Sequence, residues 1–158
     1  GVAERMRLWG EIIGDPIGGE TLASKFGNSI SRLQNRLSSI DAGPSVYHDA
    51  APGWWTAGNG TLASSIYALL KARNVFLDVS GFQQVSIEAL VARDPQVIIS
   101  VHSAGEELLK SETALKNTSA VINERLGTID GGLMEVAGPR LLQAMEQIVH
   151  ILYPDLSQ

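Results

Sequence analysis

Sixteen consecutive residues, Val85 to Ser100, hold a helix start, a helix stop and a buried strand, and so commit this stretch to an α/β layer arrangement. Ser86 is placed to cap the unpaired N–H groups of a short helix, and Glu88 in its first turn suits the positive end of the helix dipole. Pro95 disfavours helical backbone at Asp94 and ends the helix there. The run Val97-Ile98-Ile99-Ser100-Val101 is continuous and β-branched, which predicts a strand buried on both faces of a parallel sheet rather than one with a wet face.

The rest of the chain extends this pattern. Met6, Leu8, Trp9, Ile12 and Ile13 form an apolar stripe on an opening helix, which Gly14-Asp15-Pro16 stops. A second helix is predicted from near Glu20, carrying Leu22, Phe26, Ile30, Leu33 and Leu37 at spacings of three and four until Asp41-Ala42-Gly43-Pro44. Ser45 to His48 reads as a strand, Asp49 to Gly60 as a loop, and Thr61 as the cap of a helix reaching about Ala72. Asn74 to Leu77 is predicted extended. Short helices are expected over Ala104–Leu109 and Glu112–Lys116, and a last strand over Leu126–Ile129. A closing helix starts with Pro139 in its first turn and buries Leu141, Leu142, Met145, Ile148, Val149 and Leu152. Strands alternating with helices in 158 residues predict one α/β domain with an appendage.

Composition narrows the chemistry. A formal charge of −5 and the lack of a Lys/Arg cluster argue against nucleic-acid partners. Without cysteine there are no disulfides, thiolate metal sites or cysteine nucleophiles. No apolar run approaches the roughly 18 residues that span a bilayer. His48, His102 and His150 have no partner at metal-ligand spacing, so no metal site and no cofactor are expected from this chain alone. Gly58-Asn59-Gly60 lacks both the third glycine of a dinucleotide fingerprint and the Gly-Lys-Ser/Thr of a phosphate loop. Asp94, Asp130 and Glu135 have no evident nucleophile beside them, and no catalytic residue is assigned.

Several separate segments, in order, carry a family resemblance. Asn74-Val75-Phe76, then Gln84-Val85-Ser86-Ile87-Glu88-Ala89-Leu90, then Asp94-Pro95-Gln96-Val97-Ile98-Ile99 resemble the strand, helix start and strand of the C-terminal lobe of class III periplasmic binding proteins, which serve cobalamin, haem and ferric-siderophore ABC importers. Ser119 to Asp130, and Gly138-Pro139-Arg140-Leu141-Leu142 ahead of Leu152-Tyr153-Pro154, resemble that lobe's end. The likeness spans roughly residues 44–155. Leu69-Leu70-Lys71-Ala72-Arg73 departs from it by lacking the family's glycine pair before the asparagine, so a differently built turn is expected there.

The resemblance implies a single Rossmann-like lobe with a mostly parallel central sheet flanked by helices. Residues 1–43 would be the end of an interlobe helix plus a second helix, residues 44–158 the C-terminal lobe, and the N-terminal lobe would be missing from this chain. The implied function is solute capture for an ABC importer, without bond chemistry. An iron(III) siderophore is the first expected ligand and cobalamin or haem the alternatives, at the periplasmic or extracellular face of a membrane, with lipid or membrane anchoring of the full-length protein. Glu88 matches the family's glutamate that docks on permease arginines, for which a carboxylate is a good bidentate partner. Trp54 and Trp55 lie in a Gly/Pro-rich loop where one ring is expected to pack inward and the other to face ligand. The family's cleft-facing loops add His48, Asn59, Phe82 and Gln83 as ligand-contact candidates. Two competing readings stay open from the residues alone: a stand-alone α/β enzyme or nucleotide-binding domain, and a lobe that pairs with its own copy.

Overall fold

The computed structural model describes residues 1–103, 105–134 and 138–157. The chain runs α1 (Val2–Ile12), α2 (Pro16–Arg36), β1 (Ser45–Asp49), β2 (Trp55–Ala57), α3 (Leu62–Leu69), β3 (Arg73–Asn74), β4 (Phe82–Gln84), α4 (Ile87–Arg93), β5 (Val97–Ser100), α5 (Gly105–Ser111), α6 (Ser119–Ile122), β6 (Leu126–Thr128) and α7 (Leu141–Leu152). Short 3-10 turns occupy Thr113–Leu115, Gly131–Leu133 and Pro154–Ser157. Four strands form a parallel sheet in the order β3-β1-β5-β6, while β2 and β4 pair separately as an antiparallel ribbon.

All residues of β1 and β5 are buried, as expected of strands covered by helices on both sides. Alternation along the strands sorts their side chains into two cores. Val46, Val97 and Ile99 pack with Tyr67 of α3, Phe26 and Leu33 of α2, and Met145, Ile148 and Leu152 of α7. Tyr47 and Ile98 face the other way, onto Phe76, Leu90 of α4, Leu109 of α5, Leu115 of the 3-10 turn after it and Ala120 of α6. The α/β lobe with its mostly parallel sheet is thus as the sequence pattern implies.

Differences lie at the joints. Gly14-Asp15-Pro16 ends α1 but also starts α2, four residues ahead of the predicted Glu20: the Asp15 carboxylate accepts from the Gly18 N–H at 2.9 Å, and Pro16 occupies the first helical turn, where its missing N–H costs nothing. Of the α1 stripe only Met6 enters a core. Met6 is buried, but Trp9 is 63% and Ile13 71% exposed, with Leu8 and Ile12 also outward. α1 instead meets α2 backbone to backbone, since a Cβ on Gly10 would sit 2.7 Å from the Gly19 Cα.

Asn74 cuts its predicted strand short. Its Oδ1 accepts from the Phe76 N–H at 3.0 Å and its Nδ2 donates to the Ala57 carbonyl at 2.7 Å, so the side chain takes over where a strand partner would continue. In the preceding turn Lys71 adopts a left-handed φ of 61°, the conformation that a glycine would supply, and its ammonium donates to the Ser38 and Ile40 carbonyls. Asp94 also turns left-handed, φ 40°, before Pro95, and its carboxylate accepts from the Ser119 N–H and hydroxyl at 2.6 and 2.7 Å, anchoring α6. The expected Glu112–Lys116 helix is only a 3-10 turn, and Pro139 lies outside α7, before the cap residue Arg140. Ala104, the predicted first residue of α5, lies outside the described residues, as does Glu135.

His48 points into the core shared with α3. It is 3% exposed, and its Nδ1 lies 2.7 Å from the Tyr67 hydroxyl. Burial pushes its pKa down to about 4 from the ordinary 6.5. Above pH 6.5 the ring is neutral whether the chain is folded or not; between 6.5 and 4 only the unfolded chain takes up the proton. The free energy of unfolding is therefore expected to fall by up to about 3 kcal/mol as pH drops across that window. Urea titrations at stepped pH check it, and His48→Phe should flatten the loss. Thr61 caps α3 by accepting from the Ser64 N–H and donates to the Gly58 carbonyl. Thr61→Ala is expected to cost about 1 kcal/mol by the same measurement, and Thr61→Ser to recover most of it.

Candidate functional site

The carboxyl ends of parallel strands are where an open α/β sheet offers a crevice. Here β1 ends on Asp49 and β5 on Ser100, and the two are register partners. Because they point to the same face, their side chains meet. Asp49 is 3% exposed, lies beside the Ser100 hydroxyl, and has its Oδ2 2.7 Å from Nε2 of His102. Burial raises the Asp49 pKa, while the Ser100 and His102 contacts oppose the rise. Helix α5 starts hard against this group: a Cβ on Gly105 would overlap the Ser100 hydroxyl and lie 3.1 Å from Asp49 Oδ2. Only glycine allows that approach.

Asp49, Ser100 and His102 are not arranged as a nucleophilic relay. The carboxylate sits between the other two, and the Ser100 hydroxyl contacts the His102 carbonyl at 3.4 Å, so the bonded imidazole nitrogen is spent on Asp49 and not on the serine. Among the described residues no three His, Asp or Glu side chains gather as a metal site.

Two recesses open beside the strand ends. One, of about 220 Å³, is lined by Asp49, Pro52, Gly53, Trp54, His102, Leu109, Ser111 and Glu112. The other, about 230 Å³, is lined by His48, Ala50, Leu62, Ala63, Phe82, Val101 and Met134. Trp54 holds its place through a left-handed backbone, φ 66°, with its ring half-buried against the α4/α5 core. Trp55 belongs to β2, not to a loop. Its strand pairs with β4 in the register Trp55↔Gln84 and Ala57↔Phe82, which puts Trp55 and Phe82 diagonally on one face of the ribbon, 40% and 61% exposed.

Of the candidates read from the sequence, Trp54 lines the first recess, and His48 and Phe82 line the second. Asn59 and Gln83 line neither; Asn59 is bonded through its backbone to Val79 and Gly81, and the Gln83 amide donates to the Ser80 carbonyl. Glu88 stands exposed in the first turn of α4, behind the Ser86 cap that accepts from the Ala89 N–H. Sequence reading passed over Asp49 and Ser100. Each is a polar residue at a strand end, a position that in sequence reads as the start of a loop.

A family model described as periplasmic binding protein matches residues 1–132. The chain is 26% identical over 153 residues to the ABC transporter substrate-binding lipoprotein YvrC of Bacillus subtilis, covering 92% of this chain and 49% of that protein. It is 22% identical to a cobalamin-binding protein of Halobacterium salinarum over 163 residues, 97% of this chain and 44% of that one. The crystal structure of the periplasmic vitamin B12 binding protein BtuF of Vibrio cholerae superposes with a TM-score of 0.88 at 23% identity, over 99% of this chain and 62% of that chain. The chain spans about half the length of the curated relatives it matches. Taken with the parallel sheet and the crevice at its strand ends, the family match over most of its length shows that this chain belongs to the periplasmic binding protein family.

Proposed function

We propose that the chain forms the C-terminal lobe of the solute-capturing component of an ABC importer, and that its cargo is a bulky metal chelate held against Trp54, Trp55 and Phe82. The observation that carries this reading is the gathering of three partly exposed aromatic side chains at the carboxyl edge of one parallel sheet, two of them on a ribbon and one over a recess. Aromatic faces bind large planar ligands through area and need no coordination shell of their own. Within the chelate class, the relatives named for cobalamin and vitamin B12 favour a corrinoid over the ferric siderophore that the sequence put first, with haem third.

The second lobe of the capture device packs on this reading against α1, whose Leu8, Trp9, Ile12 and Ile13 present an apolar face outward. The half-length match to the curated relatives supports two lobes. The lipoprotein relative supports an extracytoplasmic, lipid-anchored setting. Glu88 docks on the permease through arginine.

Tryptophan fluorescence of the full-length protein is expected to fall saturably with cyanocobalamin and to respond less to haem or a ferric siderophore; no response to any of the three would refute the reading. Glu88→Arg should leave ligand affinity within about twofold and cut uptake at least about tenfold, the equivalent of losing one good charged contact. Uptake at the native rate would remove the docking role.

A further inference from the structure

We propose that the recess beneath Trp54 is a subsite for an uncharged or cationic arm of the ligand that donates N–H hydrogen bonds, a primary amide or a protonated amine, and that it rejects carboxylate arms. This rests on the reading that the chain captures a bulky chelate. The recess is distinct from the one beside Phe82, because Asp49 and His48 project from opposite faces of β1 and so serve different cavities.

Its chemistry is one-sided. The described lining includes two carboxylates, Asp49 and Glu112, and one imidazole, with no lysine or arginine. A carboxylate has about four acceptor positions. His102 engages one of those on Asp49 and holds it in place beside the Ser100 hydroxyl, which leaves acceptor capacity for a donor that comes from the ligand. Glu112 uses one oxygen to accept from the Ala114 N–H, which fixes its side chain at the recess wall. Trp54 adds an indole to the lining, a ring whose face attracts cations and packs well on planar amides. An anionic arm would meet two carboxylates, and the one lining group able to carry a positive charge, His102, is already engaged with Asp49. At about 220 Å³ the recess takes an arm of the ligand and not its body.

The test uses the full-length protein and three probes: cyanocobalamin, whose ring carries side-chain amides; the monocarboxylates made from it by hydrolysing one amide; and haem, whose arms are carboxylates. The wild-type protein is expected to bind cyanocobalamin at least about tenfold more tightly than one of the monocarboxylates, the effect of one charged contact turned repulsive. Asp49→Asn should reduce that preference to about threefold or less. Glu112→Gln should do so in part, and it keeps the oxygen that caps the following turn, so it reports on charge even if the Asp49 variant folds poorly. Equal affinity for all the corrinoids, a preference that survives both substitutions, or haem bound more tightly than cyanocobalamin would overturn the subsite and leave chelate capture standing. Failure to bind any of the three, or a ferric siderophore, would bring down the capture reading and the subsite with it.

Discussion

The pairing of β1 with β5 organises the rest of the molecule. Four residues stay in register, from Val46 opposite Val97 to Asp49 opposite Ser100, and both strands are buried throughout. A parallel pair of this kind leaves no face for water, so helices must cover both sides, and the chain supplies α2, α3 and α7 on one and α4, α5 and α6 on the other. The same register brings the two strands to an end at the same height. Polar side chains that would be scattered in another alignment become neighbours there, and the crevice is a consequence of where the apolar runs stop.

Much of this could be read from the residues. The Ser86 cap, the Asp94-Pro95 stop and the β-branched run after it encode a helix and a strand locally, and the structure contains both. The ribbon was hidden because its strands, Trp55–Ala57 and Phe82–Gln84, are three residues each and find one another across the whole of α3 and β3. A three-residue strand has no periodicity to detect. The α1 stripe correctly marked a helix with an apolar face, but period alone cannot tell which surface that face meets. Gly10 and Gly19, which let α1 and α2 touch backbone to backbone, looked merely like weak helix formers.

The candidate site was legible in its aromatic parts and not in its polar ones. Trp54 and Phe82 stand out in a chain with three tryptophans and three phenylalanines. Asp49 and Ser100 do not, since an aspartate or serine at the end of an apolar stretch usually marks a loop. What distinguishes them is that Asp49 remains buried and acquires partners 51 and 53 positions away, a property of the sheet register rather than of any segment. His48 shows the converse. It stood among the ligand candidates and does line a recess, but its hydrogen bond to Tyr67 and its burial tie it equally to the core.

The ribbon also separates two demands that proteins often have to meet with the same residues. β2 and β4 are joined to each other by backbone carbonyls and amides, the Asn74 side chain donates to the Ala57 carbonyl of β2, and neither strand belongs to the four-stranded sheet. The side chains at Trp55, Phe82 and Gln83 are exposed and contribute little to that joinery. They can therefore be exchanged at little cost to the backbone pairing that shapes this part of the fold. The exposed face of the ribbon is thus free to vary in sequence by drift at a handful of surface positions, with the core left untouched.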